Sequence, residues 1–489
     1  MDRPFGAWLP DVADYEGPGL KTVTNAVPLD DGNYGPWGDL ATISDAVGET
    51  VVGLVSAKNT GGSVRVFAGS ATDLYELDGS SWTSVGKAGG YGLSAQETWS
   101  FTKFGNFLIA ASDLGEELQY ISLVNGTQFA DLSATAPRAR YIKTMANFVM
   151  AGNTYDGTDG NQPDRVWWSA IGDPTGVWTP AAATQAGRQT LADTGWVQAL
   201  TAGTGGATGV AYTEEGVWRI DYEGPPTVFR FDLVENARGV YIGSSVVSVG
   251  AVDFYWARDG IYSFDGANST PISAGKWGEF LLSDLDDVNR DRMWATVDSD
   301  RHLIYWAYPG SGNTDGVPNR IFVYNYTTGN GSLVESDVVA LMTLQSPGYT
   351  LEQLDAFGTL DELGPSLDSR VWAGGSTYLG AINSSGQLCQ FTGSNLQADF
   401  VSHDFGGDRM FVTGVKANVD TGSLTVAVAR RAAIDDSMTV GSYIAPTADR
   451  YSPQRAAGRY FDVRTRVAAG ASWTKAQGFD LRAKMEGAR

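Results

Sequence analysis

A short unit of alternating apolar residues, a glycine turn and an aromatic residue recurs through most of the sequence. In one copy the runs 64–69 and 73–77 lead through the turn Asp78-Gly79 to Trp82, and in a later copy two runs meet at Asp259-Gly260. The repeat of about 35–45 residues is that of a four-stranded propeller blade, which buries both faces against its neighbours. The sequence therefore predicts an all-β fold with a β-propeller of about six or seven degenerate blades over residues 46–395.

Composition agrees with many short strands joined by tight turns. The chain has 61 glycines, 15 tryptophans and 21 tyrosines, and only 18% of its residues are charged. Glycine supplies the turn conformations and aromatic residues favour strands. Helical periodicity is nearly absent, and one short helix is expected within residues 283–297. A stacked β-sandwich is the competing fold.

The first 45 residues differ from the repeats. Prolines at 10, 18, 28 and 36 block both helix and central strand, so we expect an extended N-terminal arm. Its aromatic residues need a surface to pack against, in this subunit or in a neighbour. The residues concerned are Trp8, Tyr15, Tyr34 and Trp37. Trp8, Tyr34 and Trp37 are therefore candidate interface residues.

Residues 396–489 contain longer runs with cleaner alternation, at 411–415, 424–429 and 460–467. They predict a small antiparallel β-sandwich, a platform packed on the propeller. Arg455, Arg459, Arg464 and Arg466 form a basic cluster there, and the last three are candidate interface residues. Alternation places Arg464 and Arg466 on one strand face, which suits either an acidic partner or phosphate, or an ordinary solvated face.

The charge of the chain is strongly negative and unevenly distributed. The formal charge is −22, yet residues 408–489 hold 13 basic and 8 acidic residues, leaving −27 on the remainder. Such an acidic chain is unsuited to wrapping duplex DNA, which requires clustered Lys and Arg. The asymmetry fits two ends of an assembly subunit, or simply surface solubility.

Residues for catalysis are scarce. The chain has two histidines, His302 and His403, and one cysteine, Cys389. Few residues are therefore present for nucleophilic catalysis that depends on histidine, and a metal site with several cysteines is excluded. A phosphate-binding glycine loop is also missing from the sequence. We therefore expect no enzymatic activity, no cofactor and no metal.

Two weaker motifs leave alternatives open. The segments 78–82 and 173–178 are similar to the Asp-box turns of sialidases, but those turns are structural, and glycosidases need a marked carboxylate pair. Asn153, Asp156, Asp159 and Asn161 offer oxygen ligands to calcium, although Asp and Asn at glycine turns are also ordinary hairpin residues.

Neither a bilayer-spanning apolar run nor a signal-peptide pattern is found in the sequence. We therefore expect a protein that does not insert into membranes and that is assembled in a cytoplasm.

Several stretches resemble a known family. The opening 6–11, with 24–28 and 32–34, is similar to the start of podovirus tail nozzle proteins, also called tail hub or packaged-DNA stabilisation proteins. Further similar stretches lie inside the chain and at its end: 104–106, 168–174, 259–262, 458–460, 472–473 and 478–480. The resemblance is scattered over the whole chain.

This resemblance implies a structural virion protein in the phage tail, assembled in the host cytoplasm. A homo-oligomer, expected to be a hexameric ring, would lie below the portal and its head-tail adaptor protein and continue the DNA channel. It would retain the genome and carry tail spikes or fibres and a plug or needle, while genomic DNA passes through the lumen without sequence-specific binding. The alternative is a carbohydrate-binding or sialidase-like propeller, acting as a receptor-binding or depolymerase module.

Overall fold

The computed structural model describes residues 2–14, 17–94, 97–112, 114–346 and 375–485 and consists almost entirely of β-strands. The N-terminal segment supplies five short strands: β1 (Asp2–Pro4), β2 (Leu20–Thr24), β3 (Ala26–Pro28), β4 (Tyr34–Pro36) and β5 (Ala41–Ala46).

The next strands form five four-stranded antiparallel sheets in chain order, which we call blades 1 to 5. Blade 1 contains β6 (Gly53–Lys58), β7 (Val64–Gly69), β8 (Leu74–Asp78) and β9 (Ser81–Ser84). Blade 2 contains β10 (Ser100–Phe104), β11 (Phe107–Ala111), β12 (Gln119–Ser122) and β13 (Ala130–Asp131). Blade 3 contains β14 (Arg138–Met145), β15 (Phe148–Asp156), β16 (Gly160–Trp168) and β17 (Gly187–Thr190). Blade 4 contains β18 (Val197–Ala202), β19 (Gly209–Thr213), β20 (Gly216–Gly224) and β21 (Val228–Asn236). Blade 5 contains β22 (Val247–Val249), β23 (Val252–Ala257), β24 (Gly260–Phe264) and β25 (Ser269–Pro271).

Two further blades follow the helix α1 (Gly278–Asp284) and a 3₁₀ turn at Asp287–Arg292. Blade 6 contains β26 (Trp294–Asp298), β27 (Leu303–Tyr308), β28 (Arg320–Asn325) and β29 (Asn330–Glu335). Blade 7 contains β30 (Ala340–Gln345), β31 (Thr377–Ile382) and β32 (Gln387–Gln390), and its fourth strand is β5 from the N-terminal segment. The sequence predicts one short helix within residues 283–297. The helix α1 begins five residues earlier, and most of the predicted interval forms the 3₁₀ turn and the start of β26 instead.

The blades close into a ring. The first strand of each blade contacts the first strand or the preceding turn of the next blade, and β30 of blade 7 contacts β6 of blade 1. Strands inside the blades, such as β27, are buried along their whole length because a neighbouring blade covers each face. The described residues therefore contain seven blades, and the predicted all-β propeller is confirmed.

Side-chain hydroxyl groups accept hydrogen bonds from backbone N–H groups at the inner edges of the blades, where no partner strand lies. The first strand of a blade pairs on one side only, so every second N–H points away from its own sheet. The hydroxyl of Thr102 in blade 2 accepts the N–H of Thr144 in blade 3 at 2.9 Å. Three equivalent bonds run from a backbone N–H to a side-chain hydroxyl. In them Ile142 donates to Ser100, Thr343 to Thr296 and Gln345 to Ser56.

The chain ends in long strands: β33 (Ala398–Ser402), β34 (Phe405–Val419), β35 (Leu424–Arg431), β36 (Thr439–Val440), β37 (Ser452–Val467) and β38 (Ala476–Met485). They are hydrogen-bonded into one continuous sheet, which we call the platform sheet. It joins blade 6 through β2, which pairs with β33 on one side and with β29 on the other. The C-terminal strands pair antiparallel with one another and are continuous with blade 6 through a strand of the N-terminal segment, while the β-sandwich arrangement stays a prediction.

The N-terminal segment does not form the extended arm that its prolines suggest. β1 and β4 pair with β38, β2 lies between the platform sheet and blade 6, and β5 completes blade 7. The prolines of this segment sit at the ends of three-residue strands or in loops, where a missing N–H is tolerated. Residues 2–14 and 17–46 therefore supply strands to the platform sheet, to its junction with blade 6 and to blade 7.

We predict that Thr102→Val destabilises the protein by roughly 1–3 kcal/mol, because the partly buried N–H of Thr144 loses its acceptor. Chemical unfolding with urea measures the change. Thr83→Val is the matched control: this threonine lies on the outer strand β9, is exposed, and has no side-chain hydrogen bond within the described residues. Equal stability of the two variants would contradict the role of the hydroxyl.

Candidate functional site

A polar cavity opens where the first strands of blades 2, 3 and 4 begin, close to the loops that precede blades 5 and 6. Its volume is about 270 Å³. Because the first strands surround the propeller axis, we call this cavity the axial funnel. Its charged and aromatic lining consists mainly of Glu97, Arg140, Trp196, Glu214, Arg258 and Arg290.

Charges in the axial funnel are balanced. The lining includes three carboxylates and three guanidinium groups: Glu97, Glu214, Asp291, Arg140, Arg258 and Arg290. Arg140 and Glu97 form a close ion pair, with Nη2 to Oε1 at 2.6 Å. The funnel thus has no excess of either sign, although the chain as a whole is acidic.

Tyr241 lies between two arginines on one side of the funnel. The guanidinium carbons of Arg258 and Arg290 lie 4.5 and 4.6 Å from the centre of its ring. The Tyr241 hydroxyl donates to Asp287, and burial together with this bond raises the pKa of Tyr241. Each cation is attracted to one face of the ring, so the three side chains hold one another in place.

Trp196 is the exposed aromatic residue of the funnel, with 52% of its surface accessible. Its backbone N–H donates to Oε2 of Glu214 at 3.1 Å, and its carbonyl accepts the Glu214 N–H at 3.1 Å. The preceding Gly195 has φ of +77°, and a Cβ there would lie 2.6 Å from the Glu214 carboxylate. Glycine is therefore required for this turn, which fixes the position of Trp196.

Buried hydroxyls line the inner part of the funnel. Ser112 is 3% exposed, and within the described part of the chain neither its Oγ nor that of Ser244 has a hydrogen-bond partner. Tyr141 also lines the cavity, and its burial raises the pKa of this tyrosine to about 12. Tyr141 therefore stays a neutral hydroxyl near pH 7.

The predicted interface aromatics of the N-terminal segment are buried in this same chain. Trp8, Tyr34 and Trp37 are at most 3% exposed. Trp8 packs on Phe280 and Phe322, Tyr34 on Phe400, and Trp37 on Tyr305 and Phe391. These three aromatic residues therefore pack inside their own subunit, in the core of the chain, and not against a neighbouring subunit. Tyr15 lies outside the described residues.

The predicted basic cluster is largely neutralised within the chain. Arg464 bonds Asp462 at 2.9 Å, and Arg466 bonds Asp399 at 2.7 Å while lying over the ring of Tyr443. Arg459 is exposed and forms no ion pair with any residue that the structure describes. Of the three candidate arginines, Arg459 alone presents a free charge.

Sequence reasoning missed a buried ion network between the N-terminal segment and the platform sheet. The side chains of Asp404 and Asp462 are fully buried, and Lys21 on β2 lies 3.7 Å from the first and 3.4 Å from the second. Arg431 contacts Asp404 at 2.5 Å. No sequence signal marks this network, because Lys21 is about 380–440 residues away from its partners.

Both histidines also connect the N-terminal segment to the rest of the fold. His403 Nε2 donates to the Leu9 carbonyl at 2.9 Å, and His302 Nδ1 lies 2.9 Å from Asp30. The buried Cys389 faces Thr42 of β5, and burial raises the pKa of its thiol. These contacts assign the three residues to structural roles.

The weaker motifs are structural turns. The Asp156 carboxylate accepts the N–H groups of Thr158 and Asp159 and pairs with Arg165, and Asp159 pairs with Arg165 and Arg188. In the segment 173–178 the aspartate accepts its own turn's N–H and hydroxyl, and the tryptophan is fully buried.

Within the described ranges, no group of three or more His, Cys, Asp and Glu side chains is placed to bind a metal. No helix in the described part of the chain is long and apolar enough to span a membrane.

Comparisons with known proteins find similarity in structure alone. No protein-family model matches the chain, and no curated protein matches it in sequence. Among solved structures, the β-propeller domain of Cps50 (Swd1) from Myceliophteria thermophila matches with 11% identity and a TM-score of 0.39, over 72% of this chain and 98% of that one.

Two other solved structures are similar at the same level. The extracellular domain of the putative one component system BT4673 from B. thetaiotaomicron has 9% identity and a TM-score of 0.40, over 91% of this chain and 62% of that one. BBS1N in complex with ARL6DN has 12% identity and a TM-score of 0.39, over 72% and 93%. These likenesses carry no information about function.

We predict that Arg431→Met destabilises the protein by about 3–5 kcal/mol, because Asp404 stays buried without its closest cation. Burial already raises the pKa of Asp404, and loss of Arg431 raises it further. A raised aspartate pKa means that the folded state binds the proton more tightly, so the deficit should shrink as the pH falls through that pKa.

Unfolding curves at several pH values test this expectation. Arg455→Met on β37 is the control, since Arg455 is exposed and has no ion pair among the residues described. A deficit that does not depend on pH would show that Arg431 acts through packing alone.

Proposed function

We propose that this chain is a structural virion protein, the tail nozzle or hub subunit of a short-tailed phage. In this role identical copies form a ring below the portal and the head-tail adaptor. The ring continues the DNA channel, retains the genome and anchors tail spikes or fibres and a plug or needle.

One observation supports this proposal most. Residues that carry the family resemblance lie where the N-terminal segment is hydrogen-bonded to the blades, to α1 and to the platform sheet, and we call these positions the joints of the fold. Asn25 donates from its side chain to the Gln397 carbonyl and accepts the N–H of Glu335, so it links blade 6 to the platform sheet. Asp11 accepts the N–H groups of Glu279 and Phe280 at the start of α1. A resemblance located at such joints favours a shared architecture over a chance similarity.

The same joints suit a part that carries load. The N-terminal segment is hydrogen-bonded to blade 7, blade 6 and the platform sheet, and buried ions connect β2 to that sheet. Relative motion of propeller and platform would break these bonds and expose unpaired buried charges, which is costly. A stiff subunit fits a conduit that holds packaged DNA.

Charge supports the conduit role as well. Outside residues 408–489 the chain carries −27, and negative surfaces repel phosphate. An acidic bore would let DNA slide without adhering. The exposed Arg459 stays our candidate for contact with an acidic partner surface.

The carbohydrate-binding alternative has one observation in its favour, the exposed Trp196 at the mouth of the axial funnel.

Native mass spectrometry of the purified chain, alone and with the adaptor, tests the proposal. We expect a closed ring, with six copies the expected number, formed on the adaptor even if the isolated chain is monomeric. A closed ring requires a heterologous interface that repeats with a closing rotation. A chain that stays monomeric or forms trimers with the adaptor would contradict the proposal.

A further inference from the structure

We infer that the axial funnel is a binding site for one neutral saccharide ring, packed against the indole of Trp196. This inference goes beyond the nozzle proposal and does not depend on ring assembly.

The size of the funnel limits the ligand. Sites for drug-sized ligands measure about 300–1,000 Å³. The funnel, at about 270 Å³, lies just below this range. A single sugar ring, with neighbouring units extending into solvent, fits this volume better than a folded peptide segment.

Charge balance selects a neutral ligand. The three guanidinium groups of the lining are matched by three carboxylates, and Arg140 is already paired with Glu97. A phosphate or carboxylate ligand would need surplus cations, while the chain as a whole carries −22. Carboxylates and guanidinium groups held in place are instead good partners for sugar hydroxyls, which both donate and accept.

Buried polar atoms in the funnel have unmet hydrogen-bonding capacity. Ser112 is 3% exposed, and within the residues described its Oγ and the Oγ of Ser244 have no hydrogen-bond partner. Buried polar groups in proteins are nearly always bonded to protein, water or ligand. A hydroxyl group can both donate and accept, so a polyhydroxylated ring is suited to a lining of this kind once the two serine side chains turn towards it.

Trp196 supplies the apolar contact. It is the one tryptophan among the described residues that is exposed, and large aromatic side chains are usually mostly buried. Its backbone is held at both N–H and carbonyl by Glu214, so the main chain that carries the indole is anchored at the funnel. A fixed aromatic surface contributes apolar area at a small entropic cost.

The test is a titration of the full-length protein, followed by saturation-transfer NMR and calorimetry. The probes are the methyl glycosides of glucose, galactose and mannose, N-acetylglucosamine, and, as anions, N-acetylneuraminate and inorganic phosphate. We expect saturable binding of at least one neutral sugar at about millimolar affinity or tighter.

Trp196→Ala should weaken that binding at least about tenfold, as removal of a central aromatic contact usually does. Trp196→Phe should restore most of the affinity. Tyr155→Ala is the matched control, since Tyr155 is an exposed aromatic that lines a different cavity on blade 3. Circular dichroism confirms that each variant folds.

Three results would overturn the inference. They are no response to any neutral sugar, binding of phosphate or N-acetylneuraminate only, and sugar binding that Trp196→Ala leaves unchanged. A peptide-binding funnel would give the first result. A sugar-binding chain that forms no ring with the adaptor would contradict the nozzle proposal and leave this one intact.

Discussion

The fold depends on the pairing of an N-terminal strand with the last blade. β5 at Ala41–Ala46 pairs with β32 at Gln387–Gln390, so the ring of blades closes only when segments about 340 residues apart meet. The inner edges close in a similar way, because Ser56 of blade 1 accepts the N–H of Gln345 in blade 7. A closed ring of blades leaves only short edge strands, which offer few unpaired N–H groups to other chains.

A second connection, between β2 and the platform sheet, is required by buried charges. Asp404 and Asp462 have no exposed side-chain surface, and Lys21 approaches both from the N-terminal segment. Burying a carboxylate without a cation is expensive, so the platform sheet and β2 must form together. The N-terminal segment therefore closes the propeller through β5 and attaches the platform sheet through β2. A subunit built in this way couples its two parts, as the proposed tail conduit would require.

The propeller could be predicted because its signal is local. Alternation, aromatic residues and turns such as Asp259-Gly260 are set by neighbours in sequence, and β23 and β24 pair across that turn as expected. The burial of Trp8, Tyr34 and Trp37 could not be predicted from the sequence, because it depends on partners hundreds of residues away. The funnel had no signal of its own: Trp196 becomes distinctive only when its exposure is known. The pairing of Arg466 with Asp399 likewise required the register of two strands.

The most direct measurement is a cryo-electron microscopy reconstruction of the virion or of the reconstituted tail. The account predicts copies of this chain in a closed ring around the tail axis, below the portal and adaptor, with propeller and platform in one fixed arrangement and acidic residues facing the bore. Copies located away from the axis, as monomers or as trimers at a fibre tip, would contradict it.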